Sequence, residues 1–237
     1  MKKLLCILIV IFFVSSAFAE QPSTPEIGSI VTFGRYEQDN NLDNGPEPIE
    51  WIVLDVQDGK TLLISKYGLD VKPYNEKLED VTWETCTLRT WLNGDFLQSV
   101  FSAGERSAIL TTTVDNSSSQ GYSGWSTIGG NSTQDQIFLL SYAEVNKYFN
   151  VTLLDSNNIN ARMSPTAYAI RNGAWTNSYY KTADDATAGW SWLRSPGSPQ
   201  NGAASVDLDG TLTYHNVRND IVCVRPAFWL NLESDIF

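Results

Sequence analysis

Histidine is almost absent: His215 is the only one in 237 residues. A Ser–His nucleophilic centre would have to use it, and it lies among polar neighbours on a strand-like stretch, where an exposed strand histidine is the expected role. The three cysteines, Cys6, Cys86 and Cys223, are far apart. One His and distant Cys supply too few ligands for a tetrahedral zinc site without help from carboxylates. Positive charge is scarce as well, with 16 Lys and Arg against 27 Asp and Glu and a net charge of −11. Such a chain repels phosphate backbones, which argues against nucleic-acid binding.

Long apolar runs are limited to one. Leu4 to Val14 follows Lys2 and Lys3 and leads into Ser15-Ser16-Ala17-Phe18-Ala19, the pattern of a secretory signal over residues 1–19 and too short for a full membrane span. Cys6 lies within that run without a lipobox, so a lipid anchor is not expected. No later run reaches membrane length. The expectation is a soluble protein, secreted or at the cell surface, with no membrane contact after signal cleavage. A Pro/Ser/Thr linker over 20–26 then precedes a single domain over 27–237. No repeat of fixed period occurs.

What the chain has is aromatic: eight Trp, ten Tyr and ten Phe. Ser29 to Tyr36, Ile49 to Val56 and Lys60 to Ser65 read as strands, the last two joined by an Asp58-Gly59 turn. Thr82 is placed to cap a helix carrying Leu88, Trp91 and Leu92 on one face, stopped by Asn93-Gly94, and Phe96 to Phe101 suggests a second short helix. Val114 to Gln134 reads as a long loop and Gln136 to Leu140 as a strand. Ser141-x-x-Glu144 is a capping box opening a helix to Phe149. Asp155 to Arg162 is loop-like, Ser164-Pro165 begins another helix ending at Asn172-Gly173, and Ala174 to Gly189 reads as a second polar loop. Ala204 to Tyr214, alternating about Asp209-Gly210, is a tight hairpin. Strands bracketing helices and loops place the chain in the α+β class.

The last fifth organises the rest. Trp190-Ser191-Trp192-Leu193-Arg194-Ser195-Pro196-Gly197, the Asp209-Gly210 hairpin and Val224-Arg225-Pro226-Ala227-Phe228-Trp229-Leu230 resemble a family of secreted and surface-attached bacterial domains to which no activity is attached, over about Ile27 to Leu232. Val81-Thr82-Trp83-Glu84 with Trp91-Leu92 is similar to sulfatase-modifying domains, and that resemblance implies a C-type-lectin-like fold. It also implies that Cys86, on the first helix, and Cys223, on the last core strand, come close. Such domains often bond these elements, so the pair is expected either as a disulfide or as two buried thiols. The sulfatase-modifying enzymes use a closely spaced cysteine pair near the C-terminus. Only Cys223 stands there, so their copper-dependent oxidation is not expected.

Core packing is the expected role of Trp51, Trp83, Trp91 and Trp229. Trp125, Trp175, Trp190 and Trp192 sit beside Gly, Ser and Asn, where rings can stack on a sugar. With Asn201 they form the candidate ligand-binding set. Arg194 and Arg225 are embedded among apolar residues and should be structural charges meeting a carboxylate or carbonyls, with Asp207, Asp209 and Glu84 as candidates. Asp39-x-Asn41-x-Asp43-x-Gly45 ending at Glu50 has calcium-loop spacing, but Asn44 replaces the required Gly and strand residues follow; a polar hairpin loop is the better reading. Asn219-Asp220 resembles the calcium-ligating pair of sugar-binding lectins, with Arg218 in place of their Trp. No cofactor is assigned beyond this allowance for calcium, and no catalytic residue. The expectation is a secreted, non-catalytic binding module for carbohydrate or an extracellular protein. Its rivals are a hydrolase with paired carboxylates, needing two close acids in a cleft with one raised pKa, and a structural module of the cell envelope.

Overall fold

The structure is a computed structural model that describes residues 24–151 and 158–234. The signal segment with Cys6, the first part of the linker and Asp155 lie outside the described residues. Strands β1 (Ile30–Tyr36), β2 (Glu47–Gln57) and β3 (Lys60–Ser65) form an antiparallel sheet. Asp58 and Gly59 both have positive φ (49° and 72°), the type I′ geometry that suits a two-residue hairpin. Ile49, Trp51 and Val53 alternate along β2, and all three are 0 % exposed, so one face of the sheet builds the core.

After the short β4 (Asp70–Val71), the helical region departs from its expected form. Helix α1 (Thr87–Trp91) is capped by Cys86, whose Sγ accepts the Arg89 N–H at 3.5 Å. Thr82 instead closes a preceding turn through its carbonyl, which accepts the N–H groups of Thr85 and Cys86. Asn93-Gly94 does not stop the helix: a π-helical turn (Leu92–Phe96) runs straight into α2 (Leu97–Val100). The Asn93 side chain accounts for this. Its Nδ2 donates to the Arg89 and Ile137 carbonyls, and its Oδ1 accepts from the Gln136 and Ile137 N–H groups. Those bonds occupy the backbone of 136–137. The strand expected over Gln136–Leu140 is therefore reduced to one bridge, Phe138 to Ala227.

Helix α3 (Ala103–Ala108) opens on a Ser102/Glu105 capping box. Strands β5 (Thr112–Val114) and β6 (Thr133–Asp135) pair at the base of the long loop, which is thus a hairpin with an extended tip. Helix α4 (Tyr142–Phe149) has the Ser141/Glu144 capping box read from the sequence. Helix α5 (Ala167–Arg171) is capped by Thr166, not by Ser164 with Pro165 in its first turn, and it ends at Asn172-Gly173 as expected. The second polar loop contains a hairpin, β7 (Thr176–Lys181) with β8 (Thr187–Gly189). Residues of β7 are exposed or half-buried throughout, so it shows none of the apolar alternation by which a strand is recognised.

The chain then runs through β9 (Ser191–Pro196), β10 (Gly202–Val206), β11 (Leu212–Asn216), β12 (Cys223–Val224) and β13 (Ala227–Asn231). Gly210, at φ +84°, closes the β10–β11 hairpin, and a Cβ there would lie 2.0 Å from the Asn158 carbonyl oxygen; only glycine fits. A five-stranded sheet has the order β11-β10-β9-β12-β4, with β12 and β9 parallel. Strand β13 returns to the first sheet, giving β1-β2-β3-β13. The architecture is α+β, mostly antiparallel curled sheets with few short helices. One hydrophobic cluster runs through both sheets, and Trp51 and Trp83 are 0 % exposed within it. Trp91 and Trp229 are partly buried and pack against it. Among the described residues no helix is long and apolar enough to cross a membrane.

Cys86 and Cys223 are both buried and both free, so the disulfide outcome is not the one found. Cys86 packs in the main cluster and caps α1, whereas Cys223 belongs to a separate cluster with Met163, Ala169 and Ala174. Burial pushes the Cys86 thiol up to about 12 and raises that of Cys223 too, with Asp70 adding to the latter. Raised thiols hold almost no thiolate at neutral pH, and thiolate is the reactive form. In residues 20–237, iodoacetamide at pH 8 should label neither cysteine in the native state and both in guanidinium. Native labelling faster than global unfolding would contradict this environment.

Candidate binding surface

The four tryptophans expected at loops have different fates. Trp192 is 1 % exposed, and its Nε1 donates to the Lys72 carbonyl at 2.9 Å. It is a core residue, because every residue of β9 is buried and its ring packs against that of Tyr74, 5.8 Å away. Trp190 is half-buried and lies in a stack. His215 sits 4.3 Å from it at an interplanar angle of 34°, and Trp175 sits 5.9 Å away at 36°. The indole N–H of Trp190 donates to Asp207 Oδ1 and fixes the ring. Trp175, the outer member, is 48 % exposed. Its backbone N–H is tied to the Ile221 carbonyl at 2.9 Å, so the stack is held by the approach to β12.

His215 is thus no exposed strand histidine. Burial holds its pKa below the ordinary value, with Asp207 pulling the other way, and its Nε2 is enclosed without a partner. The neutral ring serves as the floor of the stack. Sequence patterning did not reveal this role, although the register Ala203 to His215 across the predicted hairpin places the imidazole on the sheet face.

Trp125 belongs to a second aromatic group. It is half-buried, with rings of Tyr122 at 5.6 Å and Tyr214 at 5.3 Å, both edge-on. Tyr214 is 41 % exposed and lies next to His215 on β11, so the two residues point to opposite faces. Trp125 therefore pins its own loop while leaving Tyr214 open. The tip of that loop is held by Gln200, whose side chain accepts the Ile128 N–H and donates to the Ile128 and Val81 carbonyls. Asn201, beside it, is half-buried and uses its carbonyl to accept the Val217 N–H. The structure thus brings Trp175 and Trp190 together, with Trp192 buried edge-on to the same His215 ring at 6.2 Å, and places Trp125 in a different aromatic group. Tyr179, in the second polar loop but outside the candidate set, is 83 % exposed and edge-on to Tyr180 at 5.0 Å.

None of the anticipated carboxylates serves the two buried arginines. Arg194 is paired in fork fashion with Glu144 and donates further to the Leu139 and Asp115 carbonyls. Glu84 is turned to Asn131, Asp207 to Trp190 and Asp209 to Thr211. Among the described residues Arg225 meets backbone carbonyls, those of Ser65 and Ala161, and a ring face, that of Phe149.

The calcium-spaced segment forms the turn between β1 and β2. Carboxylate oxygens of Glu37, Asp39 and Glu47 lie within 4.8 Å of one another. The spacing-based set is not assembled, because Glu50 pairs with Lys66 at 2.8 Å. Oxygens of the acidic trio already accept from Asn41, Asn44, Gln38 and Asp39. Glu37, on this turn, is held above the usual carboxylate range, by burial first and then Glu47. Asn219 Oδ1 accepts the Ile221 N–H, so the Asn219-Asp220 pair is part of a local turn.

No curated protein and no solved structure matches the chain. One family does, a domain of unknown function (DUF6273), over residues 58–232. The match begins with the β2–β3 turn and so leaves out β1 and β2, later than the Ile27 start expected from the motifs. It takes in every element that builds the two aromatic groups, and on that match the chain belongs to the DUF6273 family.

Proposed function

We propose that this chain is an exported, non-catalytic binding module of C-type-lectin-like arrangement, and that it presents the Trp175–Trp190 stack to a neutral carbohydrate outside the cell. The observation that carries the reading is the stack itself: three rings in succession, His215, Trp190 and Trp175, the first two half-buried and the last 48 % exposed. A ring left about half exposed yet held from beneath is a pre-ordered platform, and stacking on it costs little further ordering. The return of β13 to the first sheet and the long loops above the second support the lectin-like arrangement.

The paired-carboxylate reading gains little from the geometry. Among the described residues Glu37 is the one carboxylate held above its ordinary range, and it lies in the turn between β1 and β2 with its Oε1 accepting the Asn41 N–H. A purely structural module would not need Trp175 exposed.

The test is a glycan-array screen of residues 20–237 with and without calcium, repeated on Trp175→Ala. Loss of one stacked indole weakens binding about fivefold or more, the equivalent of about 1 kcal/mol, and the array signal should fall accordingly. Binding that survives Trp175→Ala unchanged would remove this surface. Binding confined to protein probes would replace carbohydrate as the ligand.

A further inference from the structure

A cleft of about 320 Å³ opens between the tip of the β7–β8 hairpin and the first sheet, lined among others by Lys66, Tyr67, Arg162, Thr182, Asp184 and Arg225. This volume is within the range of small-ligand sites. Arg225 forms part of its wall and is only 5 % exposed. Its Nε donates to the Ser65 carbonyl at 2.9 Å and its Nη1 to that of Ala161 at 3.3 Å. A guanidinium has five N–H groups, and among the described residues Nη2 has no acceptor. The Arg225 side chain is part of the cleft lining.

The other polar groups are already committed. Lys66 pairs with Glu50 at 2.8 Å, and Arg162 donates to the Lys181 and Asp209 carbonyls. Asp184, the one carboxylate among the described lining residues, is exposed and accepts the Thr182 hydroxyl at 2.6 Å. Among the described residues Arg225 therefore has no ion-pair partner, in contrast with Arg194. Burial alone lowers its pKa to about 10, with no carboxylate opposing the shift. Such a cation costs several kcal/mol to bury, and an anion entering the cleft would relieve that cost.

We propose that this cleft binds the carboxylate of a small molecule with a partly apolar body, anchored on Nη2 of Arg225. One uncommitted guanidinium edge suits a monoanion better than a phosphate dianion. Ile30, Ile52 and Met163 supply the apolar wall. The inference is independent of the aromatic stack, since it rests on different residues.

The experiment is NMR titration of the chain, following the Arg Nε–H signals and the Tyr67 and Thr182 amides. The probes are glucuronate, benzoate, glucose and inorganic phosphate at constant ionic strength. Saturable shifts with both carboxylates, and none with glucose, are expected. Absence of saturation with either carboxylate, or saturation with phosphate alone, would overturn the proposal.

Arg225→Met also strips the Ser65 and Ala161 carbonyls of a donor and can fail to fold. Ala183→Trp, at an exposed position on the cleft rim, therefore provides the second variant. It should abolish carboxylate shifts with unfolding unchanged, and unaltered binding would count against the cleft. Trp175→Ala should leave carboxylate binding intact, which separates failure here from failure of the carbohydrate reading.

Discussion

Glu144→Gln is expected to lower the unfolding free energy by about 3 kcal/mol, the scale for stranding one member of a buried ion pair. Arg194 is 2 % exposed on its side chain and Glu144 29 %, so it is the guanidinium that would lose its partner without water to replace it. Gln can still cap α4, which isolates the charge from the capping box. Arg194 also ties the Leu139 and Asp115 carbonyls, so the cost should appear in global unfolding. Glu105→Gln is the matched control. Glu105 occupies the same capping position in α3 and accepts the Gly34 N–H, but has no ion pair among those of the described residues. Its loss should be about 1 kcal/mol or less. Urea denaturation of both variants makes the comparison, and equal losses would deny the pair its anchoring role.

Asp135→Ala should cost about as much or more, roughly 3–5 kcal/mol. Asp135 is 1 % exposed and accepts three bonds: from Arg89 Nε at 2.6 Å, the Trp83 indole N–H at 2.8 Å and the Thr133 hydroxyl at 2.6 Å. Removing it leaves the N–H of a fully buried indole and a half-buried guanidinium without their acceptor. Trp83 makes the event visible, since its fluorescence should change at denaturant concentrations where the wild type is native. A variant with unchanged midpoint and slope would show that the knot joining α1 to β6 is dispensable.

What the sequence disclosed follows the range of the interactions involved. Ser141 with Glu144 and the Asp58-Gly59 and Asp209-Gly210 turns are complete within a few residues, and each was readable. Asn93 acts on residues 136–137, and no local rule announces that a side chain will hold a helix open into a π-turn. The pairing of Arg194 with Glu144 likewise spans two elements that only the packed sheets bring together. Trp190 and Trp192 share a neighbourhood of Gly and Ser and, two residues apart, both reach His215; Trp192 is enclosed because it lies within β9 against Tyr74, whereas Trp190 lies just before that strand. The β7–β8 hairpin was hidden for another reason: exposed on both sides, it has no hydrophobic rhythm. At the site, exposure of Trp175 was foreseeable from its polar neighbours, but its support by His215 depended on a cross-strand register.

Strand β3 has β2 on one side at once, but its other neighbour, Ala227–Asn231, is made only after every helix and the whole second sheet. The open edge of β3 must wait through nearly all of synthesis, and with it Trp51, whose ring meets Phe228 at 4.7 Å. Closure of the first sheet is thus a late, long-range step. A ribosome stalled before Ala227 would display an unfinished, aggregation-prone nascent chain, one that holdase chaperones should recognise.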